Sequence, residues 1–164
     1  MKDKTGKRLG FTIIELLVVI AIMAVIATLA TGAALKSIRQ SRSKRVDATV
    51  QALEMSLVNY RALHGKWPYT FADRKTNREK QVVGGEENAQ VFRDVLEDVK
   101  NGNALLDPSA LLTRVGGKRM TVKEAMEKGK ETIPIGYINP DNTDDFKFFS
   151  VEYNFLTQSI HVRR

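Results

Sequence analysis

The chain contains no cysteine. That excludes a disulfide, a thiolate-bound zinc and a cysteine nucleophile, yet it does not locate the protein, since a disulfide-free domain folds in any compartment. Histidine is scarce too. His64 and His161 are the only two, neither stands in a metal-binding spacing, and surface or packing roles suit both better than ligation. The four prolines all lie at or after Pro68, so nothing stronger than glycine interrupts the chain before that point. The pairs Gly84-Gly85 and Gly116-Gly117 lack the surrounding pattern of a phosphate loop. Enzyme chemistry therefore finds little support.

What is present is sharply divided. Residues 11–35, FTIIELLVVIAIMAVIATLATGAAL, are almost wholly apolar, and the rest is polar and charged. The 164 residues suffice for one domain with a long appended helix, and are too few for two ordinary domains. The net charge of +7 is uneven: Lys2, Lys4, Lys7 and Arg8 against Asp3 leave +3 in the first ten residues and +4 in the remainder. Charge alone then makes no case for nucleic acid.

The apolar run is long enough to span a bilayer as a helix, for which about 20 residues are needed. A secretory signal peptide would account for the basic start, the apolar run and the small residues at Ala30-Thr31-Gly32. It does not account for Glu15. A carboxylate in an apolar span costs up to about 3 kcal/mol at the bilayer centre and less near an interface, so such a residue marks function or a partner.

Lys7-Arg8-Leu9-Gly10 followed by Phe11-Thr12-Ile13-Ile14-Glu15-Leu16-Leu17 resembles the processing signature of type IV prepilins. The shared elements are a short basic leader with Lys7 and Arg8, a glycine before the cut, a phenylalanine after it, and Glu15. The resemblance implies cleavage between Gly10 and Phe11 by a membrane-embedded prepilin peptidase, then methylation of the new amine on Phe11. It also implies a bacterial inner-membrane protein crossing once, N-terminus in the cytoplasm, C-terminal domain periplasmic or external. From the membrane such a subunit passes into a pilus or pseudopilus. Its partners would be copies of itself, other pilins or pseudopilins, and inner-membrane lipid, with secreted protein cargo or DNA as further candidates.

The residues support this chemistry independently. Gly10 has no side chain, so a protease can approach the scissile backbone closely. Cleavage frees a cationic amine at Phe11. In a core of packed helices, Glu15 of one subunit is suited to pair with the amine of a neighbour, an assembly role in which neither charge is left alone. The positive-inside count does not set the orientation, because Lys36, Arg39, Arg42, Lys44 and Arg45 follow the span closely. That second basic cluster reads as a solvated helix face, or as a surface for lipid phosphates or acidic groups of neighbouring subunits. Many pilins and pseudopilins carry a proline where this chain has Gly32. Glycine weakens a helix by only about 1 kcal/mol relative to alanine, so a straighter helix is expected.

After the span, Val46, Val50, Leu53, Leu57 and Tyr60 repeat at spacings of four, three, four and three, which predicts an amphipathic helix packing that stripe on a globular domain. Arg45, Asp47, Glu54 and Arg61 lie mostly off the stripe. Gly65, Trp67 and Pro68 form the stop. Tyr60-Arg61-Ala62-Leu63-His64-Gly65-Lys66-Trp67-Pro68 is similar to the pattern that ends the long helix of type II secretion pseudopilins, which favours a pseudopilus over an adhesive pilus.

Beyond residue 70 the reading is local. Tyr69 to Glu87 predicts a loop and Asn88 to Val99 a helix, while Ala104 to Leu112 is ambiguous. Gly116-Gly117 suits a hairpin turn, and Thr121 with Glu124 a capping box for a short helix to about Lys128. Phe146 to Phe155 and Ser159 to Val162 alternate as two antiparallel strands, with Phe149, Val151, Tyr153 and Phe155 on one face. The expected fold is α+β and pilin-like: leader 1–10, membrane or filament-core helix 11–35, its amphipathic extension 36–64, and a head domain 65–164 with an antiparallel sheet against the helix. No cofactor is required. The oxygen-rich run with Asp141, Asn142, Asp144 and Asp145 is a weak calcium candidate that departs from EF-hand spacing. The basic sets Arg74, Lys75, Arg78, Lys80 and Arg114, Lys118, Arg119 are candidates for DNA, against the plainer reading of solvated charges.

Overall fold

The stripe from Val46 to Tyr60 belongs to one long helix, α1 (Ile13–His64). The structure is a computed structural model describing residues 11–71 and 79–164. It divides into two units, Met1–Gln40 and Ser41–Arg164, and α1 runs through the boundary. In the first unit the large apolar residues Phe11 to Leu35 and Ile38 are all exposed. From Ile13 on they lie in α1, where Thr28 Oγ1 also donates to the Val25 carbonyl and Thr31 Oγ1 to that of Ala27.

The second unit reverses this. Leu53 and Leu57 are fully buried, with Val46 and Tyr60 nearly so. They meet α2 (Asn88–Lys100), which contributes Val91, Phe92 and Val95 from one face. The strands are β1 (Lys80–Val83), β2 (Leu112–Val115), β3 (Lys118–Thr121), β4 (Gly136–Ile138), β5 (Phe146–Phe148), β6 (Ser150–Asn154) and β7 (Ser159–Arg163). They form two antiparallel sheets, of order β1-β6-β7 and β3-β2-β4-β5. A short helix, α3 (Val122–Glu127), follows β3.

The long helix against antiparallel strands is the expected α+β layout, but the expected single strand from Phe146 to Phe155 is two. Its first part pairs with β4, its second with β1 and β7, and the break falls at Phe149. There the Phe149 amide donates to the Ile135 carbonyl (3.1 Å) while its ring is fully buried. The buried positions change phase at the crossing, from Phe146 in the first strand to Phe149 and Val151 after it, and the run of apolar residues on both sides hides that shift in the sequence. The predicted loop from Tyr69 to Glu87 is also corrected: β1 and a 3-10 turn at Gly85–Glu87 lie within it. Its KQVV has no alternation long enough to read. The hairpin at Gly116-Gly117 forms in the register Val115 opposite Lys118, and the Glu124 amide donates to Thr121 Oγ1 (3.1 Å) to cap α3.

The junction of the sheets is tied by Asn88, a fully buried polar residue at the start of α2. Its Nδ2 donates to the carbonyls of Ile135 (2.7 Å) and Phe149 (2.8 Å), and its Oδ1 accepts from the Ile135 amide (2.9 Å). Next to it, Gly136 admits the close approach of β5: a Cβ there would lie 2.5 Å from the Lys147 carbonyl oxygen and 2.6 Å from the Phe146 ring. On the three-stranded sheet, Glu152 of the central strand accepts from Lys80 of β1 and pairs with Arg163 of β7, both at 2.8 Å. The Lys80 bond, with Arg163 assisting, holds the Glu152 carboxyl below the usual carboxylate range.

Two outcomes follow from this geometry. Asn88→Ala leaves the Ile135 amide and the Phe149 carbonyl without their Asn88 partner inside the core, each costing about 1–3 kcal/mol; denaturant unfolding should show a loss of about 2 kcal/mol or more, and a loss below about 1 kcal/mol would refute the strut. Because the folded-state pKa of Glu152 is lowered, its stabilisation is complete above the usual carboxylate range and fades as pH falls through that lowered value. Glu152→Gln should thus unfold more easily than the parent at neutral pH, with the gap closing in acid. A gap independent of pH would overturn the charge assignment.

Candidate assembly signal at the start of the long helix

Thr12 and Glu15 make a reciprocal arrangement at the head of α1. Thr12 donates to Glu15 Oε2 through both its backbone amide (2.8 Å) and its hydroxyl (2.9 Å). The Glu15 amide in turn donates to Thr12 Oγ1 at 3.2 Å. This is a capping box: a threonine before the first turn and a glutamate three residues on satisfy each other's backbone amides. Its spacing is the same as that of Thr121 and Glu124, and it went unread in the sequence because Thr12 sits inside an apolar run whose obvious signal is length. Phe11 precedes the helix and is about four-fifths exposed (82%). Gly10, Lys7 and Arg8 lie outside the described residues.

One helix among the described residues, α1, is long and apolar enough to cross a membrane, and it begins beside this capped charge. The sequence model of the prokaryotic N-terminal methylation motif matches residues 6–31. The chain carries a type IV prepilin-like N-terminal signal. The match takes in Gly10, Phe11 and Glu15 and stops well short of the head domain. No curated protein and no solved structure gives a significant match to the chain.

Downstream of the prepilin-like signal, the three stop residues fall together. Gly65 follows the last turn with φ +70°, where an L side chain would be strained, and its amide donates to the Arg61 carbonyl at 2.8 Å. Pro68 is buried. Trp67 meets Tyr153 of β6 edge-on at 6.0 Å, and the Arg61 guanidinium lies 4.7 Å from its ring centre. His64 stacks on Tyr60 at 4.3 Å, with its Nε2 2.6 Å from Asp98 Oδ2. Burial, followed by Asp94, Asp98 and Glu97, pushes the Tyr60 hydroxyl pKa up. The stop is also a dock: it fastens the helix end to α2 and to the three-stranded sheet.

The remaining candidates disperse. Of the first basic set only Lys80 is described, and it is bonded to Glu152; Arg74, Lys75 and Arg78 lie outside the described residues. Arg114 covers the Phe146 ring at 4.9 Å, and Arg119 donates to the Thr143 carbonyl at 2.8 Å. Lys118 is exposed at the hairpin. The run Asp141–Asp145 forms the β4–β5 turn. There the Asn142 Oδ1 accepts from the Asp144 amide, and Asp145 Oδ2 accepts from the Asn139 side-chain amide and sits 3.7 Å from Lys147 Nζ. Asp141 and Asp144 are exposed there. Among the described residues no group of three or more His, Asp or Glu is placed to hold a metal ion.

Thr12→Val removes the hydroxyl of the capping box while keeping the shape. A lost cap costs about 1 kcal/mol, so amide exchange in the first turn of α1, measured in detergent micelles, should speed up about fivefold while the head domain is unchanged. Unchanged exchange at Glu15 would show that the box contributes nothing.

Proposed function

We propose that the chain is a structural subunit of a type IV pilus-like filament, most akin to a type II secretion pseudopilus. The match to the methylation motif over residues 6–31 carries this reading. Prepilin peptidase cuts after Gly10, the amine of Phe11 is methylated, and residues 11–35 hold the protein in the inner membrane with the head domain on the far side. The same helix then packs in the filament core. Both Thr12 bonds land on Glu15 Oε2, so Oε1 is open to a donor from another chain. The freed amine on Phe11 of a neighbour is such a donor, and the pair removes two charges from an apolar setting.

The secretion-type assignment draws on the Gly65-Trp67-Pro68 stop and its docking on the sheet. A DNA-binding role is less favoured, since Lys80, Arg114 and Arg119 are engaged within the fold. The test is the intact mass and N-terminal sequence of protein recovered from membranes of the native host. A methylated Phe11 start is expected. An uncleaved Met1 would reduce the protein to a membrane-anchored domain, and a start near Ala33 to an ordinary secreted one. Glu15→Ala should be processed normally yet fail to form filament cross-links; normal incorporation of that variant would overturn the assembly role.

A further inference from the structure

Between Glu15 and Asp47 the sequence contains no carboxylate, while Lys36, Arg39, Arg42, Lys44 and Arg45 fall within ten residues. All five side chains are exposed on α1. At about 100° per residue they point to every side of the helix rather than along one face, as a collar about 14 Å tall. None of the five is ion-paired with a carboxylate among the described residues. The first acid beyond them is already neutralised, for Asp47 Oδ1 lies 3.1 Å from the Arg164 guanidinium, which also donates to Ser43 Oγ at 2.9 Å. The collar thus carries five uncompensated positive charges with a further arginine against its edge.

Its position selects the partner. The apolar stretch from Ile13 to Leu35 covers about 34 Å of helix axis, against a hydrocarbon core of about 30 Å. Lys36 therefore emerges at headgroup level once the stretch is in a bilayer. Cations disposed on every side of the helix suit headgroups, which present anionic phosphates all round it. We infer that residues 36–45 are a binding collar for anionic phospholipid headgroups of the leaflet on the head-domain side. Each cation there strengthens attraction to an anionic headgroup surface roughly fivefold, weakened by salt, and the choice among adjoining lipids reads out only part of that attraction. The leader cations supply the same attraction at the opposite leaflet, which is why counting charges does not orient the chain.

The inference rests on the membrane anchoring in the proposed function, and the two fail differently. Full-length protein is reconstituted into bilayers of phosphatidylcholine and of an equimolar mixture with phosphatidylglycerol, and the relative association of spin-labelled forms of each lipid is read by electron spin resonance. The parent should prefer phosphatidylglycerol. Replacing Lys36, Arg39, Arg42, Lys44 and Arg45 with glutamine should cut that preference at least fivefold, whereas R39K/R42K/R45K, which keeps the charge, should retain it. An unchanged preference in the glutamine variant overturns the collar, as does an equal loss in the lysine variant. Unchanged lipid preference with loss of cross-links between copies would assign the cations to an acidic surface of a second chain. Protein that is extracted by carbonate and never enters the bilayer would instead refute the anchoring itself.

Discussion

The head domain depends on one buried amide. Asn88 stands where two sheets and a helix meet, and its three hydrogen bonds take up the Ile135 amide and the Phe149 carbonyl and add a second donor to the Ile135 carbonyl. A strand that leaves one sheet for another must expose donors and acceptors at the crossing, and in a dry core these cannot go unpaired. Asn88 supplies both polarities from one side chain. Once it is in place, Phe149 is free to bury its ring, Gly136 can lie against β5, and α2 is fixed over the junction with Val91, Phe92 and Val95 facing inward.

The two units of the chain solve opposite problems. In Ser41–Arg164 the stripe of α1 is covered, and its polar flank is used as well: Glu54 Oε1 accepts from the Val162 amide of β7 at 2.8 Å, closing an edge position that would otherwise face outward. In residues 11–40 every described side chain is exposed. A helix with large apolar side chains exposed on every side is unstable in water and at home only in lipid or among other helices. Five cations then appear at the exit of that segment, so the chemistry of the chain changes over a few residues from that of hydrocarbon to that of a headgroup layer.

Much of this was legible before any coordinates. The N-terminal signal could be read because glycine, phenylalanine and glutamate stand at fixed distances in an otherwise apolar run. The stripe from Val46 to Tyr60, the hairpin at Gly116-Gly117, the cap at Thr121 and the β6–β7 pair are all local patterns, and each formed as expected. What escaped depends on contacts far apart in the chain. Asn88 looks like any polar residue opening a helix; only Ile135 and Phe149, 47 and 61 positions later, give it meaning. β1 is a strand because β6 lies beside it, and its four residues carry too little pattern to announce it. Thr12 is different: its capping spacing to Glu15 was present and local, but masked by hydrophobicity.

The capping box at Thr12 makes the charge of Glu15 portable. A helix in lipid must satisfy every backbone group from within, and the first turn is where it fails to do so. With Glu15 folded onto the amide and hydroxyl of Thr12, two of the leading amides, those of Thr12 and Glu15, are satisfied from within the helix. In the proposed assembly, passage from a bilayer into a filament core would leave both of these bonds in place. Such a transfer would then exchange side-chain contacts around a segment whose helical backbone is the same on both sides of the move.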